Sequence, residues 1–151
     1  MLSKRAKYGL RALVYLARHQ GEGPIQIREI SEKLKIPRKF LEAILLDLRN
    51  EGMLQSRKGK EGGYLMERSP DTITIGKIIR FIDGPLAAVP CVSQTAYARC
   101  DDCLDEKTCV IRCIMKEVRD ATASILDAAT LDQLVVKANE LGKVAELEYQ
   151  I

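Results

Sequence analysis

The chain has 151 residues, 46% of them hydrophobic, which suits one globular core with an arm and is too little for two large lobes. No apolar run reaches the roughly 18 residues of a membrane span, and MLSKRAKYGL lacks the apolar stretch and cleavage site of a secretion signal, so a cytoplasmic protein with no membrane partner is expected. The net charge of +3 is unevenly spread: residues 1–60 hold 14 Lys/Arg and 6 Asp/Glu, residues 61–151 hold 10 and 15, and the basic first part points to a polyanionic partner.

Ser3 can cap a first helix whose Leu10, Leu13, Val14 and Leu16 share a face and whose start is basic, with Gly21 to Pro24 ending it. Residues 24–27 allow a short strand. Ile30, Leu34 and Ile36 then give a second, short helix, and Pro37 opens a third through Phe40, Leu41, Ile44, Leu45 and Leu48 to Gly52. Residues 53–67 read as a hairpin with a basic, glycine-rich tip at Arg57 to Gly63.

A fourth helix begins near Thr74 and stops at Gly84-Pro85. Residues 86–108 have no apolar period and are rich in Cys and Asp; a loop of this length is functional or disordered in most small proteins. A long helix from about Thr108 carries Val110, Ile114, Val118, Ala121, Ile125 and Leu126 on one side, too apolar a stripe to stand alone, which favours a partner helix. Thr130 can cap a last helix to about Leu141, followed by a tail.

The predicted fold is mainly α with a small β-hairpin wing: a winged helix-turn-helix followed by a long dimerisation helix. The expected division is a DNA-binding domain over 1–84, a cysteine-rich sensor loop over 85–108 and, over 109–151, the dimerisation helix with a C-terminal helix or tail. In such a motif the start of the third helix, Arg38, Lys39 and Phe40, faces base edges in the major groove. The wing cations Arg57, Lys58 and Lys60 meet phosphate or minor groove, with Gly59 permitting close approach. The tip lacks the spacing of a nucleotide-binding loop.

All five cysteines, Cys91, Cys100, Cys103, Cys109 and Cys113, fall within 23 residues. An odd count without a secretion signal argues against a disulfide scaffold and for metal binding or redox chemistry. Soft thiolates suit iron-sulfur clusters, zinc or copper(I). Cys109, at a helix start, gains from the helix dipole as a thiolate, while Cys113 one turn later reads better as a small buried core residue than as a ligand.

The start LSKRAKYGLRALVYLA, the run IREISEKLKIPRKFLEAILLDLRNEGML, the wing SRKGKEGGYLM and the cysteine loop before a long helix together resemble the IscR, NsrR and CymR type of regulator, the Rrf-two superfamily. The resemblance covers residues 1 to about 127. It implies a homodimer on double-stranded, palindromic operator DNA, with Ser3, Lys4, Tyr8, Arg38, Lys39, Phe40, Arg57, Lys58 and Gly59 at or near the DNA. It also implies a cluster held by three cysteines, Cys103 and Cys109 foremost and Cys91 as the first.

Some such regulators use a histidine after the last cysteine, where this chain has Arg112 and Cys113, and its only histidine is His19. Others take an acidic residue from the partner's first helix, where Lys7 stands. Cys91, Cys100, Cys103 and Cys109 would complete an all-cysteine site holding a two-iron or four-iron cluster. Structural zinc, a thiol-disulfide switch, and a metal-free regulator controlled by a partner protein stay open, as does a redox or electron-transfer protein of another class. No catalytic Ser/His/Asp or Cys/His arrangement is visible, so an enzyme is not expected.

Overall fold

The computed structural model describes residues 2–149, with side chains up to residue 143. In chain order it contains α1 (Lys4–Arg18), α2 (Ile27–Leu34), α3 (Arg38–Asn50), β1 (Leu54–Arg57), β2 (Gly63–Met66), α4 (Ile75–Asp83), α5 (Val110–Ala128) and α6 (Leu131–Tyr149), with short 3-10 turns at Pro70–Thr72 and Pro90–Val92. This is the winged helix-turn-helix plus long helix expected from the sequence.

Helix α1 lies at the centre. Its Ala12, Leu13 and Leu16 are buried together with Ile30 of α2, Leu41, Leu45 and Leu48 of α3, Ile78 of α4 and Leu131 of α6. The 3.6-residue period of each amphipathic helix turns one stripe toward this common interior. The start of α1 is held twice: Ser3 Oγ accepts from Ala6 N–H at 2.9 Å, satisfying a free first-turn donor, and Asp83 at the end of α4 accepts from Ser3 N–H at 2.9 Å. Thr74 caps α4 through Lys77 N–H. Gln133 reaches back to Thr130 N–H at 3.1 Å, a capping-box contact at the entrance to α6.

Three expectations are corrected. Residues 24–27 do not form a strand: only Ile25 pairs, in an isolated bridge to Tyr64, and Ile27 already begins α2. The last helix runs past Leu141 to Tyr149. Cys113 is exposed rather than buried; it follows Val110 and Ile111 around α5 onto a side that no other element covers.

None of the 19 residues of α5 is fully buried, and Val110, Ile111 and Ile125 are 79%, 61% and 69% exposed. The helix is fastened by polar contacts. Arg80 of α4 makes a bidentate pair with Asp127 at 2.6 and 2.9 Å, and Arg119 donates to the carbonyl of Val92 at 2.6 Å. Gly76 leaves room for the first of these, since a Cβ there would collide with the Asp127 carboxylate.

The guanidinium of Arg80 holds the Asp127 carboxyl below the usual aspartate value. Its stabilisation is present above the ordinary aspartate range and is lost as pH falls through the lowered folded-state value. Because the pair is partly exposed, Asp127→Asn is expected to cost at most about 1 kcal/mol near neutrality and to reduce the acid sensitivity of stability. Gly76→Ala, which displaces the pair and crowds α4 against α5, is expected to cost about 1–2 kcal/mol. Denaturant unfolding at neutral and acid pH checks both.

Candidate nucleic-acid interface and cysteine pocket

The turn between α2 and α3 is made without glycine. Lys35 ends α2 in the left-handed region at φ 55°, and Ser31 Oγ donates to the carbonyl of Ile36 at 2.6 Å. Pro37 caps α3, its fixed φ and missing N–H suiting the last residue before a helix. The first turn of α3 then presents Arg38, Lys39 and Phe40 to solvent, with Phe40 55% exposed. Arg38 Nε donates to Glu42 one turn on at 3.0 Å; both side chains are exposed, so this pair steers the guanidinium and adds little stability.

Tyr8 of α1 meets Phe40 edge-on, ring centroids 6.4 Å apart, and Arg11 stands 6.0 Å from the Tyr8 ring. The start of α1, with exposed Lys4 and half-buried Ser3, is thereby joined to the start of α3. Arg11, one of the cations of this basic first helix, is exposed beside Tyr8 and donates to the carbonyl of Leu34.

The GGY of the wing has a steric explanation. A Cβ at Gly62 would run into the Arg57 carbonyl, and one at Gly63, where φ is 149°, into the carbonyl of Ile25. This close approach lets Tyr64 and Ile25 exchange two backbone hydrogen bonds of 2.9 Å, docking the hairpin on the entrance to α2. Strands β1 and β2 pair from Leu54–Met66 to Arg57–Gly63. Gln26 Nε2 donates to the Lys60 carbonyl at 2.9 Å, and Arg57, Lys58, Gly59 and Lys60 project into solvent. Gln26 is an anchor visible only in the folded chain.

The 86–108 segment is irregular yet internally braced. Tyr97 donates to Glu106 at 2.7 Å, Arg99 reaches the carbonyls of Cys103 and Leu104, and Asp105 receives Lys107 N–H at 3.0 Å and the Thr108 hydroxyl at 3.1 Å. This brings Cys91, Cys100, Cys103 and Cys109 to the wall of one cavity of about 440 Å³, which Arg112 also lines. Cys109 caps α5, its Sγ accepting from Arg112 N–H at 3.4 Å. Burial, and then the hydrogen-bonded Cys100 thiol, push the Cys91 thiol above its ordinary pKa. His19 pairs with Glu22 at the far end of α1, away from the cysteines.

All five cysteines are free thiols. Among the described residues no three Cys, His, Asp or Glu side chains converge on the point a single metal ion would occupy. The donor set is nonetheless that of a thiolate-ligated group: four cysteines round one cavity, one of them at a helix N-terminus, beside a cationic side chain with a buried unpaired Nε–H.

A family model described as Rrf2, iron-dependent transcriptional regulator, matches residues 2–137. An HTH-type transcriptional regulator of Rhodobacter capsulatus described as rrf2-like is 39% identical over 97% of this chain and 99% of its own length. CymR, the global cysteine regulator of B. subtilis, has a solved structure that superposes with a TM-score of 0.75 at 31% identity, covering 91% of this chain and 97% of that one. T. potens IscR gives 0.73 at 28% identity over 93% and 90%. These relatives are named as regulators, not enzymes.

Limited alkylation of the metal-free protein is expected to label exposed Cys113 first and buried Cys91 last, since a covered thiol with a raised pKa is a poor nucleophile. Peptide mass spectrometry over a time course reads the order.

Proposed function

Because this chain belongs to the Rrf2 family of transcriptional regulators, we propose that it is a homodimeric DNA-binding regulator whose cysteine pocket holds an iron-sulfur cluster as its sensor. The observation that carries the sensing half is the convergence of Cys91, Cys100, Cys103 and Cys109 on one cavity at the foot of α5. The cluster would supply redox or nitrosylation chemistry, or be gained and lost with iron supply. The chain's own part is to hold the thiolates and pass on a change of loop shape.

The route for such a change is short. Val92, next to Cys91, is bonded to Arg119 on α5; Asp127 of α5 is bonded to Arg80 on α4; Asp83 at the end of α4 holds Ser3 at the start of α1. Residues 1–84 form the reading head in this proposal, 85–108 the sensor loop and 109–151 the arm. The exposed stripe of Val110, Ile111, Ile114, Val118 and Ile125 takes the same stripe of a second chain, which would place two heads on a palindromic operator.

On the DNA, Lys39 and Phe40 enter the major groove with Arg38, which exchanges Glu42 for a base or phosphate. Ser3, Lys4 and Tyr8 lie toward the backbone beside them. Arg57, Lys58 and Lys60, on the turn at Gly59, reach phosphate or minor groove.

Anaerobically purified protein with brown colour and matched iron and sulfide is the expected outcome for the sensor; colourless protein with about one zinc per chain would replace the cluster by a zinc regulator of the same fold. In binding titrations Arg38→Ala should relax specificity, costing about 1–3 kcal/mol on the selected operator and little on random DNA. Lys60→Ala should weaken both alike and lower the salt slope by about one. Ile114→Glu with Ile125→Glu should yield monomers by sedimentation and abolish operator binding.

A further inference from the structure

We infer that Arg112 is the charge partner of the group the cysteines hold, its guanidinium donating to a ligating thiolate, so that it positions and neutralises that group without ligating it. This rests on the cluster reading proposed above.

Among the described residues, the only buried side-chain nitrogen or oxygen without a hydrogen-bond partner is Arg112 Nε. A buried donor on a charged group is costly to leave unpaired. The other arginines of this region have acceptors: Arg99 the carbonyls of Cys103 and Leu104, Arg119 that of Val92, and Arg80 the carboxylate of Asp127. Glu106 is engaged by the Tyr97 hydroxyl and Asp105 by Lys107 N–H and the Thr108 hydroxyl; Asp102 and Asp105 line the same cavity, yet neither pairs with Arg112 Nε.

Arg112 instead lines the cavity with Cys91, Cys100, Cys103 and Cys109. Its backbone N–H donates to the Cys109 sulfur at 3.4 Å, so the residue stands on the first turn of α5, within one turn of that thiol. Protonated thiols are weak acceptors, whereas thiolates and sulfides are strong ones and carry the negative charge a guanidinium matches. A guanidinium stays protonated and offers no lone pair to iron, so Arg112 cannot be a ligand. Its place is that of a fixed cation beside an anionic centre.

The consequence is electrostatic. Reduction adds an electron to the centre, and a nearby fixed cation favours that more negative form. Taking the cation away therefore lowers the reduction potential and loosens the hold on the group.

The test uses the full chain as wild type, Arg112→Gln and Arg112→Lys, each reconstituted without oxygen from ferrous iron and sulfide. Iron and sulfide content, a redox titration followed by visible absorption, and the rate of cluster loss to a chelator are read. In Arg112→Gln the oxidised-to-reduced ratio at a given potential should rise about tenfold, a midpoint lower by about 59 mV for one electron, with faster cluster loss. Arg112→Lys, which keeps charge without the fixed Nε–H, should fall between.

A fully loaded Arg112→Gln protein with unchanged potential and loss rate overturns the inference and leaves the cluster reading standing. If Arg112→Gln folds but does not load, Arg112→Lys decides: a shifted potential supports the role and an unshifted one overturns it. A wild type that takes up neither iron nor sulfide while still binding DNA removes the cluster reading and this inference together.

Discussion

Everything in this molecule depends on covering helix α1 from several directions at once. Ala12, Leu13 and Leu16 are buried only because α2, α3, α4 and the first residue of α6 close round them. Burying one such leucine is worth about 1.5–3 kcal/mol, and the same packing fixes where the α1 start stands relative to α3. The Tyr8–Phe40 contact follows from that placement, and so does the surface on which Lys4, Arg38 and Lys39 are displayed together.

The second organising feature is that α5 is held at its middle by Arg119 and near its C-terminal end by Asp127 and Leu126, while most of its apolar stripe stays open. Helices with a wide apolar face are stable in water only when that face is covered. The Arg80–Asp127 and Arg119–Val92 contacts leave most of the stripe exposed and tie the helix to α4 and to the segment that carries Cys91. These contacts are few and partly exposed, so their geometry can change at small cost.

The cysteine pocket shows how a short loop gathers thiols with little regular structure. Tyr97–Glu106 and the Asp105 turn fold the chain back on itself, so that Cys91 and Cys109, separated by 17 residues, face one cavity. Arg112 lines this cavity together with Asp102 and Asp105. The motif that made the wing so legible, GGY, has an equally local cause: two glycines let carbonyls of Arg57 and Ile25 approach where any side chain would stand in the way.

The sequence by itself determined the helices, the hairpin and the basic reading surface, because each rests on local rules: apolar spacing, a Pro or Ser at a helix start, glycines at a tight tip. It also determined that the cysteines are close along the chain, since all five lie in one short stretch. Only the tertiary structure decided that Ile25 pairs with Tyr64 instead of leading a strand, and that Cys113 faces solvent. It alone decided that Leu131 closes the core over α1, and that Arg112, its Nε–H buried without a partner, lines the cavity with the four other cysteines. These outcomes turn on which faces meet across distant parts of the chain, and a helical period specifies that a face is apolar without naming what will cover it.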